Sequence, residues 1–307
     1  MEFKMSTKVA FRYIFLTVII ILGINSVSLG QIIHVNHFLK VGDLKVYMLQ
    51  DAQIYLQLSS LSGIEHNDAM KLTGGRDSVQ TPVNAFLVQT PNHVVLVDAG
   101  LGKYPGEDSG HLLDQMKDAG IDPAKVDLIL ITHFHFDHIG GLTSADGKRL
   151  FPNAIVRVSQ AESDFWMRDS SLIPANLRQR AVKIRTILAP YCSAKKYQPF
   201  LPNEDLGDGI KALPAHGHTL GHTVYAFSSK GDELWCIGDL IHFGTIQFKH
   251  PSVGMVFDSD GQMAIDSRID FFQRAAMAHI ILGAAHLPEM VRLEKDGYSF
   301  NETTVAP

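Results

Sequence analysis

Apolar runs of a few residues, bounded by glycine, proline or charged positions, recur along the chain. Lys45-Val46-Tyr47-Met48-Leu49-Gln50 and Ala85-Phe86-Leu87-Val88-Gln89 read as strands. Pro91-Asn92 marks a turn into Val94-Val95-Leu96-Val97, which predicts a hairpin. Leu112, Leu113 and Met116 are spaced for a helix over 109–119 that ends at Gly120. Short buried strands are expected at 126–131 and 155–158. Ser159 with Glu162 forms a capping box that opens a helix through Phe165-Trp166-Met167. A longer helix is expected over 175–188. Strands then follow at 210–213, 224–227 and 234–237, a helix over 262–278, and a last buried strand at 280–282. Residues 291–300 read as a terminal hairpin turning at Lys295-Asp296-Gly297. Two groups of strands with helices between them predict layered α/β packing.

The N-terminus departs from this pattern. Lys4, Lys8 and Arg12 precede an apolar run from Tyr13 to Ile24, with small residues Ser28 and Gly30 beyond it. The run is about a dozen residues, short of the roughly 20 that span a bilayer. A basic start, a short apolar stretch and small residues predict a secretory signal peptide over 1–30, cut before Gln31. An uncleaved anchor is the alternative. Cleavage leaves residues 31–307 as one domain, exported to the periplasm or beyond and free of the membrane. The apolar residues at 32–39 fit either a dimer contact or a first strand.

Composition narrows the function classes. Hydrophobic residues make up 46% of the 307 residues and charged residues 19%, a globular balance. The net charge of −5 shows no basic excess, so nucleic acid is not an expected partner. Two cysteines exclude a disulfide scaffold and a four-thiolate zinc site. Cys236, inside Leu234-Trp235-Cys236-Ile237, reads as a small buried hydrophobe, with a disulfide to Cys192 the alternative in an oxidising compartment.

The fifteen histidines matter through their placement. After the apolar run Leu128–Ile131 comes Thr132, then His133-Phe134-His135-Phe136-Asp137-His138 and Gly140-Gly141. In extended backbone, residues two apart point the same way, so His133 and His135 can grip one ion. Asp137 and His138 can turn toward a second as the chain bends. Imidazole and carboxylate donors suit zinc and its first-row neighbours. Other donors repeat the pattern of apolar run, then ligand: His216, His218 and His222 after Leu213, Asp239 after Ile237, and His286 after Gly283-Ala284-Ala285.

His133-X-His135-X-Asp137-His138, followed in order by His218, Asp239 and His286, resembles the metallo-β-lactamase superfamily over roughly residues 40–300. The resemblance implies an αββα four-layer sandwich with a dinuclear metal site at the sheet edge. It places His133, His135 and His218 on one cation, Asp137, His138 and His286 on the other, and Asp239 between them. Zinc is the expected metal. The frame Gly217-His218-Thr219-Leu220-Gly221 selects His218 as the ligand; His216 and His222 are expected to support it. Asp98, closing Val94–Val97, is implied to hold a metal-binding histidine from behind.

The segments around Ala161–Trp166, Gly238–His242, Gln247–Asp260 and Gly283–Pro288 resemble the methyl parathion hydrolase-like branch, which includes exported lactonases. The expected reaction is ester hydrolysis by a water activated between two cations. Lactone rings are the leading substrates, N-acyl-homoserine lactones above all. Phosphotriesters or aryl esters are the alternative, and a non-catalytic metal-binding protein a second one. Glu289-Met290-Val291 departs from the phosphotriesterase pattern. Asp137 is expected to orient the nucleophile. His242 stands where related lactonases commonly carry tyrosine, and a neutral imidazole titrating near neutrality would donate the same hydrogen bond. Phe134, Phe136, Trp166, Phe243 and Phe248 are the expected pocket wall.

Overall fold

The structure, a computed structural model, describes residues 38–103 and 108–306. The expected leader at 1–30, its cleavage point and residues 32–37 of the apolar segment lie outside the described residues. The described residues all fall in the unit His34–Pro307. Among them no helix is long and apolar enough to cross a membrane.

The strands are β1 (Leu39–Val41), β2 (Leu44–Gln57), β3 (Leu61–Ser62), β4 (Ser78–Gln89), β5 (Val94–Val97), β6 (Leu128–Leu130), β7 (Ile155–Arg157), β8 (Lys211–Pro214), β9 (Thr223–Ser229), β10 (Asp232–Cys236), β11 (Gly254–Met255), β12 (Ile281–Gly283), β13 (Val291–Asp296) and β14 (Ser299–Thr304). The helices are α1 (His66–Leu72), α2 (Leu112–Asp118), α3 (Phe136–Ile139), α4 (Gln160–Met167), α5 (Arg178–Ser193), α6 (Gly244–Gln247) and α7 (Gly261–Ala278). One six-stranded sheet runs β1-β2-β4-β5-β6-β7. A second runs β14-β13-β12-β10-β9-β8. Neighbours are antiparallel except β5-β6, β6-β7 and β10-β12, which are parallel.

Strand alternation explains the layers. Val95, Val97, Leu128 and Leu130 point from the first sheet into a core they share with Tyr225, Phe227, Leu234 and Cys236 of the second. Leu96 and Ile129 point the other way, onto a core with Met116, Trp166, Ile184 and Leu188 from the helices on that side. In the second sheet Trp235 and Leu282 alternate with Cys236 and Ile281, and pack on Phe271 and Phe272 of α7. Strands buried on both faces read as continuous apolar runs, which is why no polar alternation marks them. Burying each large aliphatic contributes roughly 1.5–3 kcal/mol. The αββα sandwich expected from the resemblance is therefore present, with three cores between four layers.

Two elements differ from the sequence reading. The expected strands 45–50 and 85–89 are parts of β2 and β4, which pair along their lengths with a bulge between Gln50 and Ala52. Their extensions carry Gln53, Gln57, Ser78, Gln80, Thr81 and Pro82, which break any apolar pattern. At α4, Ser159 Oγ accepts from the Glu162 amide at 3.3 Å, which is half of the capping box. The Glu162 carboxylate makes its bonds elsewhere, as described below. Cys236 is buried and Cys192 exposed, and both are free thiols.

Candidate metal centre

Five chain segments deliver side chains to one edge of the sandwich. Asp98 follows β5, the 133–138 segment follows β6, and His218 lies in the β8–β9 connection. Asp239 follows β10 and His286 follows β12. Strand ends are suited to this because the sheet fixes where each chain leaves it while the loop aims the side chain. Thr132 turns the chain out of β6, its amide held by Asp98 Oδ1 at 2.8 Å. His135 is extended at φ −70°, ψ 155°, and α3 begins directly after it, carrying Asp137 and His138 round to face Asp239. Gly238, at φ +49°, lets the chain turn close under His222, where a Cβ would sit 2.7 Å from Nε2.

The seven expected ligands converge in two groups that share one residue. His133, His135, His218 and Asp239 offer donor atoms all within 4.8 Å of one another, and so do Asp137, His138, His286 and Asp239. Each group takes two side chains from the first sheet's loops and two from the second's. The Asp239 carboxylate divides between them. Its Oδ2 lies 3.2 Å from His218 Nε2 and 3.6 Å from His133 Nε2. Its Oδ1 lies 3.0 Å from His138 Nε2 and 3.3 Å from His286 Nε2. His135 Nδ1 meets His218 Nε2 at 3.0 Å, and Asp137 Oδ2 meets His286 Nε2 at 3.4 Å.

Three atoms in this cluster, His133 Nε2, His138 Nε2 and Asp239 Oδ1, are buried without a hydrogen-bond partner. Buried polar atoms are seldom left so. Nitrogen and carboxylate donors converging on two points are what a pair of divalent cations needs, and the set fits zinc.

The far side of four of the five rings is tied down. His138 Nδ1 donates to Asp98 Oδ2 at 2.8 Å, and His218 Nδ1 to Asp258 Oδ1 at 2.8 Å. His286 Nδ1 donates to the Pro82 carbonyl at 2.9 Å, while His133 Nδ1 meets Thr132 Oγ1 at 3.1 Å. Thr132 Oγ1 in turn donates to Asp98 Oδ2 at 2.9 Å. These bonds fix which nitrogen of each ring faces inward. Asp98 does this from a left-handed backbone, φ +59°, a conformation that costs a non-glycine residue on the order of 1 kcal/mol. Asn84 holds the His286 loop, its Nδ2 donating to the carbonyls of Ala284 and Leu287.

Two buried residues link these loops. Glu162 Oε1 accepts from the Phe134 amide and Trp166 Nε1, and its Oε2 from Thr219 Oγ1 and the Gly221 amide. It so joins the 133–138 loop to the 217–222 loop. His222 Nδ1 donates to the Ala215 carbonyl, and its Nε2 accepts from the Asp239 amide at 3.1 Å.

Burial and the neighbouring imidazoles push His133 and His135 well below the usual histidine range. Burial also depresses His138 and His286, but carboxylates outweigh it. Asp239, Asp98 and Asp137 raise His138 well above its ordinary value, and Asp239 and Asp137 bring His286 to about 10. Burial disfavours the charged form of Asp239, yet His138, His286 and His242 hold it far below the carboxylate range. Without cations, the second group therefore stores protons.

A cavity of about 360 Å³ opens over the cluster, with His135, Asp137, Asp239, His242 and His286 in its wall. His242 Nε2 lies 3.1 Å from Asp239 Oδ2, and its ring stacks on His286 at 5.0 Å. Burial brings its pKa down to about 4, so it is neutral through the physiological range and does not titrate near neutrality as expected.

Of the expected pocket aromatics, the structure places only Phe136 in this wall. Phe134 lies between two ligands in extended chain, so its side chain points away from them, into the core beneath the first sheet. Trp166 is buried in that same core with its Nε1 spent on Glu162. Phe243 packs with Ile246, Val253 and Met255, and Phe248 with the core under α7. The apolar wall comes instead from Ile54, Leu56, Leu101 and Phe257. Phe257 stands edge-on to His242 at 5.2 Å. Its one sequence signal is its position beside Asp258, in a stretch already singled out.

The family model described as the metallo-beta-lactamase superfamily matches residues 79–290. The N-acyl homoserine lactonase AttM of Rhizobium johnstonii is 29% identical over 208 residues, 60% of this chain and 70% of that protein. Among solved structures, the hydrolase AbOPH of the beta lactamase superfamily superposes with a TM-score of 0.82 at 29% identity, covering 88% of this chain and 97% of its own. AidC, a dizinc quorum-quenching lactonase bound to the product N-hexanoyl-L-homoserine, superposes at 0.80 with 28% identity, covering 88% and 97%. The two ligand groups, the four layers and a profile match spanning most of the chain agree: this chain belongs to the metallo-beta-lactamase superfamily.

Proposed function

We propose that the protein is a dinuclear metal-dependent hydrolase that opens lactone rings, with N-acyl-homoserine lactones its leading substrates. The observation that carries this reading is the pair of ligand groups sharing Asp239 beneath a cavity with a largely apolar wall. Similarity to AttM and AidC supports the substrate class. His133, His135 and His218 would hold one cation, Asp137, His138 and His286 the other, and Asp239 both. When bound, such a pair supplies a water of lowered pKa and a Lewis acid for the scissile carbonyl.

The chain's own residues do the rest. Asp98, Asp258 and the Pro82 carbonyl keep the free nitrogens of His138, His218 and His286 aimed inward. Asp137, held ionised by His138 and His286 despite its burial, reaches the cavity floor, where its carboxylate orients the attacking water. His242, in the wall with Nε2 3.1 Å from Asp239 Oδ2, would turn that N–H to the carbonyl oxygen of the substrate once the carboxylate is engaged by the cations. Phe136, Phe257, Ile54 and Leu56 exclude water around the acyl part.

The deciding experiment is turnover by zinc-loaded protein on a panel of lactones, a phosphotriester and an aryl ester. Ring opening of the acyl-homoserine lactones, abolished by chelation, is the expected result. Intact lactones alongside a cleaved phosphotriester would move the reading to the organophosphate branch. The leader pattern at 1–30 goes with export, and N-terminal sequencing of the mature protein from the periplasm or medium should begin at Gln31.

A further inference from the structure

Arg180 stands in the wall of the cavity over the metal centre, near Leu101, Phe136 and Phe257. It is half-buried. Every other arginine among the described residues holds a carbonyl, hydroxyl or carboxylate. Arg185 binds the carbonyls of Trp166 and Arg168, Arg268 those of Leu240, Pro251 and Val253, and Arg157 pairs with Glu204. Among the described residues Arg180 has no hydrogen bond and no carboxylate within ion-pair distance. Its charge does reach His135, where it adds a small contribution to the burial that keeps that ring neutral.

The surroundings make an unpaired guanidinium stand out further. Arg178 and Arg180 open α5, whose first turn holds no acidic residue. The positive end of a helix dipole favours anions, and cations there work against it. One turn on, Lys183 lies over the Phe136 ring at 4.9 Å. Lys183 and Lys103 line a neighbouring cavity of about 510 Å³ that shares Leu101 and Phe136 with the first. The carboxylates in the wall beside Arg180, Asp137 and Asp239, are committed to the imidazole cluster. A local rule broken at the mouth of a site, with nothing among the described residues to offset it, points to an external anion.

We infer that Arg180 is a specificity-determining residue that receives a carboxylate on the non-cleaved part of the substrate. Lactones and esters bearing such an acid are then preferred over neutral ones of the same size. This rests on the ester-hydrolase reading of the same site and moves its preferred substrates from neutral N-acyl-homoserine lactones to acid-bearing lactones and esters. A planar guanidinium matches a carboxylate with two parallel hydrogen bonds, and in a partly desolvated wall the pairing is stronger than at an open surface.

The test uses a γ-lactam carrying a carboxylate on its side chain, and the same lactam with a carboxamide there. Lactams occupy the site without turnover, so calorimetry on the zinc-loaded full chain reads binding alone. Wild-type protein should bind the acid roughly tenfold to a hundredfold more tightly than the amide. The preference should shrink as salt is raised. In Arg180→Gln it should fall below about twofold, while Arg178→Gln, an exposed neighbour on the same helix, retains it. Equal binding of the two lactams by wild type, no binding of the acid, or a preference that survives in Arg180→Gln would overturn the inference. Should Arg180→Gln fail to fold, a wild-type preference insensitive to salt overturns it equally. Lactone turnover is read separately. Opened lactones with no acid preference leave the hydrolase reading standing and remove Arg180 from it; an Arg180-dependent preference without ring opening does the reverse.

Discussion

Thr219 and Glu162 meet across 57 residues of chain, the threonine hydroxyl donating to the buried carboxylate at 2.7 Å. Three more donors converge on the same carboxylate, two of them the backbone amides of Phe134 and Gly221, in two ligand-bearing loops. Glu162→Ala leaves all four unsatisfied. It should destabilise the fold by about 3 kcal/mol or more, measured by urea unfolding. It should also weaken zinc binding, on the order of tenfold to a hundredfold, as loss of an outer-shell bond commonly does. Glu162→Gln offers an amide group to donors and should fall between the two.

Asp239 faces both ligand groups, so Asp239→Asn should disturb both sites at once. Elemental analysis of wild type is expected to give two zinc ions per chain. The variant should retain one or none and lose lactone turnover. Asp98→Asn, acting only behind His138, should keep its metals at high zinc and show affinity lowered about tenfold to a hundredfold.

His222 makes an acid-sensitive contribution to stability. Burial pushes its pKa from 6.5 to about 3, so the unfolded chain binds the extra proton first. Between those values stability rises with pH. The contribution is fully present above 6.5 and is lost as pH falls toward 3. The slope for one group is at most about 1.4 kcal/mol per pH unit. Urea midpoints at pH 5 and pH 7 should differ less in His222→Asn than in wild type. Equal pH dependence in the two proteins would remove His222 from the account.

Loading the metal-free protein with zinc should release protons. Asp239 and Asp137 keep His138 and His286 protonated against the pull of burial, and both nitrogens must shed that proton to bind a cation. Zinc affinity is therefore expected to rise with pH. Calorimetric titration in buffers of different ionisation enthalpy measures the proton count directly.

Phe257 and Trp166 separate pocket from core. Phe257→Ala removes apolar wall beside His242 and should raise KM for long-chain lactones several-fold, with little change in unfolding free energy. Trp166→Ala should do the opposite, costing about 3–5 kcal/mol of stability as a buried aromatic.

Much of the centre was legible in the sequence because its logic is local: an apolar strand ends and a histidine or aspartate follows. That rule located the 133–138 cluster, the group His216, His218 and His222, Asp239 and His286. What holds those groups is not local. Pro82, Asn84 and Asp258 are far from their partners in the chain, and no spacing announces them. The pocket wall was misread for a related reason. An aromatic residue beside a ligand in sequence need not stay beside it in space. Alternation turns Phe134 into the core, while Ile54 and Leu56 arrive from the polar-interrupted half of β2. Glu162 carried a helix-start signal that was half right: the backbone obeyed it and the side chain did not.

The even split of each ligand group between the two sheets has a mechanical consequence. A pair of ions gripped this way rivets the halves of the sandwich together. Prising the halves apart would mean tearing out both rivets, so stripping the metal should shorten the lifetime of the folded protein as well as silence it.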